Sequence, residues 1–226
     1  MKSVQVNGIR IAYRRFGAPQ SPPVVLLHAL GETSANWEEI AIALAVDHAV
    51  YALDLRGHGN TDRSERYRLT DMREDVIGFL TVLGLPPVTV IGHSMGGMVG
   101  YLVAQEWPDA ISRLVLEDPP PPLPADPPRG MPERPEGQLD FDWAVVAALL
   151  PERNNPPEQW WEGLRKITAR TLVLGGGPDS HIPQEGVAAL AERIPHARLH
   201  TIPAGHSIHE NDPGEFLAQV GPFLNG

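Results

Sequence analysis

The sequence contains no cysteine, which removes disulfides, thiolate nucleophiles and cysteine-ligated metals together. It also lacks an apolar run of transmembrane length. Its first residues, Met1–Gly17, alternate apolar and polar types, where an export signal would carry a continuous apolar stretch. These absences point to a soluble, unexported, cytoplasmic chain without a membrane partner. Positive charge is scarce: 18 Lys and Arg stand against 28 Asp and Glu, a net charge of −10. A nucleic-acid partner would need a basic footprint and is not expected. What is present suits one domain with a small insertion, since 42% of the 226 residues are hydrophobic.

Asn7-Gly8 stands between Ser3–Val6 and Ile9–Tyr13 and favours the positive φ angles of a type I′ turn, so the chain should open with a β-hairpin. Short apolar runs follow at Pro23–His28, Ala49–Asp54, Val88–His93, Ile111–Asp118 and Arg170–Gly175, with a last strand at Arg198–Pro203. Helical spacing lies between them, over Asn36–Ala45, Thr70–Leu83, Met95–Trp107, Gln184–Ile194 and Pro213–Leu224. Short buried strands alternating with amphipathic helices predict an α/β fold. About eight strands would form a mainly parallel sheet, helices would cover both faces, and the hairpin would sit at one edge.

The alternation breaks once, between residues 119 and 168. Pro119–Pro122 and the prolines and glycines that follow cannot enter a central strand or a helix interior. Phe141–Leu150 and Glu158–Ile167 then read as two short helices, whose Trp143, Val145, Val146, Leu149, Trp160 and Trp161 need burial. The expected organisation is a core of residues 1–118 and 169–226, with 119–168 as a Pro-rich lead-in and a small helical cap. A disordered linker is the plainer alternative.

Gly92-His93-Ser94-Met95-Gly96 sits where a strand runs directly into a helix. So tight a turn forces the serine into a strained backbone conformation, and glycines two residues to either side relieve clashes. The hydroxyl is then raised beside a helix N-terminus that favours developing negative charge. His28-Ala-Leu-Gly31 and Asp54-Leu-Arg-Gly-His-Gly59 stand at the ends of the two earlier strand signals, the third and fourth of the chain. With these motifs the chain resembles the α/β-hydrolase family over nearly all its length. The resemblance implies an oxyanion hole made by the backbone N–H groups of Leu30 and Met95. Ala29, where the family usually has glycine, leaves the shape of that loop open.

Serine needs an adjacent base. His206, in Ala204-Gly205-His206, follows the last predicted strand and fits the family's chain order of serine, acid, histidine. His209 is a rival, and a metal role for the pair lacks an accompanying zinc motif. His28, His58 and His93 read as hydrogen-bonding groups of neighbouring loops. For the acid, Asp179 leads, because Gly176–Pro183 resembles a family loop. Asp118, or Glu117, at the preceding strand tip is the competitor, and a turn-forming role is the plain reading of Asp179.

The implied reaction is two-step acyl transfer to water with no cofactor and no metal, on a small or medium ester-like substrate. Trp143, Trp160 and Trp161 are candidate apolar lining. Serine rather than aspartate at position 94 argues against alkyl-enzyme chemistry. A cofactor-free perhydrolase, a carbon–carbon bond hydrolase and a ligand-binding protein with little turnover remain alternatives. The partner would be a small molecule, and the chain a monomer or homodimer.

Overall fold

The computed structural model describes residues 1–226. A hairpin of β1 (Lys2–Val6) and β2 (Ile9–Phe16) is followed by β3 (Pro23–Leu27), β4 (Ala49–Leu53), β5 (Val88–His93), β6 (Ile111–Glu117), β7 (Arg170–Gly175) and β8 (Ala197–Thr201). All eight form one sheet in the order β1-β2-β4-β3-β5-β6-β7-β8. From β4 to β8 every pairing is parallel, and β2 joins β4 antiparallel. The hairpin turns through Asn7 at φ 50° and Gly8 at φ 83°, both left-handed as a type I′ turn requires.

The strands are short and apolar because both faces are covered. In β3, Val25 and Leu27 face one side with Phe79, Val90 and Met98, whereas Val24 and Leu26 face the other with Trp37, Ile40 and Phe216. The first side carries α2 (Leu69–Val82), α3 (Met95–Glu106) and α6 (Gln184–Arg193); the second carries α1 (Glu38–Leu44) and α8 (Pro213–Asn225). Burying one such Leu or Phe side chain contributes about 1.5–3 kcal/mol.

Between β6 and β7 the chain leaves the sheet. It runs without regular structure from Asp118 to Trp143 and then forms α4 (Ala144–Asn154) and α5 (Glu158–Gly163), the latter extended by a 3₁₀ turn. Val145, Leu149, Trp160 and Leu164 pack into the main core, so the two helices are anchored to the body of the protein. The first starts three residues later than its spacing predicts. Phe141 pairs with His58 as an isolated bridge, and the Asp142 carboxylate accepts the Ala144 N–H at 3.0 Å, which sets the helix start. A four-residue helix, α7 (Ile208–Asn211), was too short to leave a periodic signal. No helix is long and apolar enough to cross a membrane.

Candidate active site

Ser94 alone joins β5 to α3, at φ 50° and ψ −112°. A residue held there carries on the order of 1–3 kcal/mol of strain. Its N–H donates to the Glu117 carbonyl at 2.9 Å, and its carbonyl accepts the Met98 N–H at 3.0 Å. The two glycines are required by close approach: a Cβ on Gly92 would strike the Gly96 carbonyl, and one on Gly96 would strike the Leu27 carbonyl. Ser94 is half-buried at the carboxyl end of the sheet. Met95, as the first residue of α3, has an N–H with no acceptor one turn back.

The loop after β3 is shaped by two neutral histidines. The His28 Nδ1–H donates to the Ala29 carbonyl at 2.7 Å while Nε2 accepts the Leu55 N–H at 2.9 Å. In His58, Nδ1 faces the Arg56 carbonyl at 3.1 Å and Nε2 accepts the Gly31 N–H at 3.2 Å. A ring nitrogen that accepts an amide proton must be bare, so both rings carry their proton on Nδ1. Burial lowers the pKa of both, His58 to about 3. Asp54 braces the same corner, accepting the Ser34 N–H at 2.7 Å and the Asn60 N–H at 2.8 Å. Within this frame the Leu30 N–H has no acceptor in the protein. Ala29 does not adopt a left-handed φ, so alanine fits there; the left-handed residue is Gly31, at φ 88°. Phe141 lies over that glycine and stacks on His58, ring centroids 5.4 Å apart.

His206 stands beside the serine turn. Its carbonyl accepts His93 Nε2–H at 3.0 Å, and its ring lies 4.6 Å from that of His93, the residue before Ser94. Its Nδ1 meets Asp118 Oδ2 at 2.7 Å. Asp118 also accepts the Gly176 N–H at 2.9 Å, the Gln184 side-chain amide at 2.9 Å and the Ser180 hydroxyl. Burial would raise its pKa, but these donors outweigh burial and hold it below the usual carboxylate value. An ionised Asp118 fixes the His206 proton on Nδ1 and leaves Nε2 as a base. No hydrogen bond joins the Ser94 hydroxyl to His206; such bonds commonly tighten only when substrate is bound.

The acid expected at Asp179 does not contact His206. Asp179 lies in an exposed turn with Pro178, and its side chain makes no hydrogen bond in the protein. The place beside His206 Nδ1 is taken by Asp118, the residue just after β6. β6 is the neighbour of β5, with Glu117 opposite His93 in register, whereas β7 lies one strand further from Ser94. Asp118 at the β6 tip, with φ 40°, turns into the space that Asp179 would have to reach across. The loop around Asp179 has another use, since its Gly176, Ser180 and Gln184 are the ligands of Asp118.

The rival histidine is placed just as firmly. His209 is buried, stacked on Trp37 with centroids 4.0 Å apart, and its Nδ1 lies 2.9 and 2.8 Å from the two Glu117 oxygens. His93, also buried, faces Glu32 Oε2 at 3.5 Å. Burial would lower the His93 pKa, but the charges of Glu117 and Glu32 raise it to about 9. Glu32, despite its own burial, is drawn down to about 2 by His93. Its carboxylate also accepts the Ala29 N–H at 3.0 Å. Through these contacts His93 ties the loop after β3 to the loop of His206. Glu32 and this link carried no signal in the sequence. His93, Glu117 and His209 have possible ligand atoms within 4.8 Å of one another, but both Glu117 oxygens are already taken by His209.

A mainly parallel sheet with a strained serine at a strand–helix turn, and a histidine on a late loop, defines the α/β-hydrolase class. The family model for the alpha/beta hydrolase fold matches residues 22–150, and the chain belongs to that family. Among its relatives is the mouse sn-1-specific diacylglycerol lipase ABHD11, 25% identical over 90% of this chain and 81% of its own length. A Haemophilus influenzae protein carrying an esterase/lipase name is 27% identical over 91% of this chain and 84% of its own. A solved hydrolase structure from Pseudomonas aeruginosa superposes with a TM-score of 0.85 at 24% identity, over 100% of this chain and 98% of that one.

Proposed function

We propose that this protein is a serine hydrolase cleaving small or medium carboxylic esters through Ser94, His206 and Asp118. The observation that carries the reading is the His206–Asp118 contact at 2.7 Å beside the strained Ser94 turn. Ser94 Oγ attacks the ester carbonyl carbon as His206 Nε2 removes its proton, and the carbonyl oxygen becomes an oxyanion. The N–H groups of Leu30 and Met95 are the donors for that oxyanion. Loss of one such donor typically costs about 3 kcal/mol of transition-state stabilisation. As the intermediate collapses, the ester C–O bond breaks and His206 returns the proton to the leaving alcohol. Water, deprotonated by the same nitrogen, then splits the acyl-enzyme and regenerates Ser94. Asp118 stays ionised throughout and stabilises the imidazolium. The segment 119–168 serves as the cap over this site, with Phe141 against the oxyanion loop.

The test is labelling with a fluorophosphonate probe, the adduct located by mass spectrometry. Modification at Ser94 that disappears in His206→Ala is the expected result. Folded protein that does not label would remove the hydrolase reading in favour of ligand binding without turnover.

A further inference from the structure

The His206 imidazole is hydrogen-bonded at one nitrogen. Asp118 meets its Nδ1 at 2.7 Å, and a single bond there leaves the ring free to pivot about it. What else restrains the ring is packing. Two other imidazoles lie against it: His93, with centroids 4.6 Å apart, and His181, with centroids 4.1 Å apart and planes inclined by 58°. His93 belongs to the serine turn, as the residue before Ser94. His181 comes from the loop after β7 and makes the closer contact.

That loop anchors His181 from both sides. Ser180 donates its hydroxyl to Asp118, and its Oγ accepts the Ile182 N–H at 3.0 Å. Ile182 is buried in the main core, and its carbonyl accepts the Gln184 side-chain amide at 2.9 Å. The same amide reaches Asp118 at 2.9 Å. Gly176 donates its N–H to Asp118 at 2.9 Å and accepts the Gly205 N–H at 2.9 Å, which ties this loop to the one carrying His206. The acid, the backbone before the base and both neighbours of His181 therefore share one hydrogen-bonded frame. His181 is the exposed residue between two anchors, and its side chain enters none of these bonds. Loss of water on its packed side, and then the charge of His206, lower its pKa, so it meets the base as a neutral ring.

We propose that His181 is a positioning residue, whose ring packs on the His206 imidazole and keeps Nε2 turned toward Ser94. This rests on the serine-hydrolase reading of the Ser94 site. A base that pivots about its Nδ1 bond spends less time against the hydroxyl, and misplacement by about 1 Å can cost about 100-fold in rate. His181→Ala should therefore lower kcat for p-nitrophenyl butyrate about 10- to 100-fold and leave KM within about two-fold. His181→Phe supplies a ring without nitrogens and should restore kcat to within about three-fold of the unsubstituted enzyme. Because the position is exposed, neither variant should move the midpoint of urea denaturation. A kcat within about two-fold of the unsubstituted enzyme in His181→Ala would overturn the proposal. So would a loss confined to KM, which would make His181 a substrate contact, or an equal loss in His181→Phe, which would give the role to the ring nitrogens.

The proton on His206 Nδ1 provides a reading that needs no turnover. Its exchange with water, followed by NMR, should be about ten-fold faster in His181→Ala than in the unsubstituted protein, with His181→Phe close to the latter. Equal exchange in all three overturns the proposal. If the unsubstituted protein neither labels at Ser94 nor hydrolyses the ester, the hydrolase reading falls, and the exchange of this proton still decides whether His181 holds the ring. Labelling at Ser94 together with an unchanged kcat in His181→Ala leaves the hydrolase reading standing and removes the role of His181.

Discussion

Two histidines three residues apart meet two carboxylates that are adjacent in sequence. His206 meets Asp118 and His209 meets Glu117, with closest contacts of 2.7 and 2.8 Å. The chemistry of the pairs is the same, and their surroundings are not. The His206 side chain is 19% exposed and borders the Ser94 turn, while that of His209 is 1% exposed and sealed under Trp37. In the proposed mechanism a base must reach substrate and exchange protons, and access is what assigns that role to the His206 pair rather than the His209 pair. The alternation of the strand tip makes the division: successive side chains leave on opposite sides, and the left-handed φ of Asp118 turns its carboxylate toward His206.

The largest expected effect follows from removing the charge of the accessible pair. Asp118→Asn should lower kcat by about 10⁴-fold, because the wrong tautomer of His206 is then favoured. Ester hydrolysis compared with circular dichroism would separate this from unfolding. An equal loss from the Glu117 substitution, with no change in stability, would erase the distinction between the pairs.

The sealed pair should respond in stability. Glu117→Gln leaves buried His209 without its charged partner and removes a charge facing His93. Breaking buried pairs of this kind costs about 3–5 kcal/mol, to be read from the midpoint of urea denaturation. Its effect on kcat should be smaller than that of Asp118→Asn.

His93 links the two regions and gives the comparison a pH dependence. Its folded pKa of about 9 lies above the ordinary 6.5, so its contribution is complete below about 6.5, declines as pH rises, and is gone above about 9. The shift corresponds to a few kcal/mol, on the order of 3. Glu32, drawn down from 4.5 to about 2, contributes above 4.5 and is lost as pH falls toward 2. Both shifts include the same contact, which counts once. Urea denaturation at neutral pH and near pH 10 should therefore show an alkaline loss that His93→Gln largely abolishes. An unchanged slope in that variant would mean His93 is neutral in the fold.

Much of this molecule was legible from spacing. Val88–His93 and Arg170–Gly175 were bounded correctly because turn residues or a charged residue flank each apolar run. The loop-bonding roles of His28 and His58 followed from their place beside glycine turns. The acid was not settled, because the left-handed turn at Asp118, which brings its carboxylate to His206, leaves no mark in spacing. Nothing in Gly176–Pro183 records that Gly176, Ser180 and the following Gln184 bond to Asp118. The donors around Asp179 did mark a site, and it is the ligand shell of a carboxylate 58 to 66 residues earlier. Glu32 was unreadable too, since its role depends on a contact with His93 at the end of β5.

The smallest expected effect is therefore at the residue the motif favoured. Asp179→Asn removes a charge from an exposed turn, where substitutions normally change stability by no more than about 0.5 kcal/mol. Hydrolysis should stay within about two-fold of the unsubstituted enzyme, because the backbone of the turn, including the Ser180 N–H to Gly177 carbonyl bond of 3.1 Å, does not depend on that carboxylate. A loss approaching that of Asp118→Asn would mean that the loop after β7 rearranges during turnover and delivers Asp179 to His206. The same measurement on the double variant would then decide between one acid and two: a single acid gives the Asp118→Asn value again, and two acids acting in turn give a further drop.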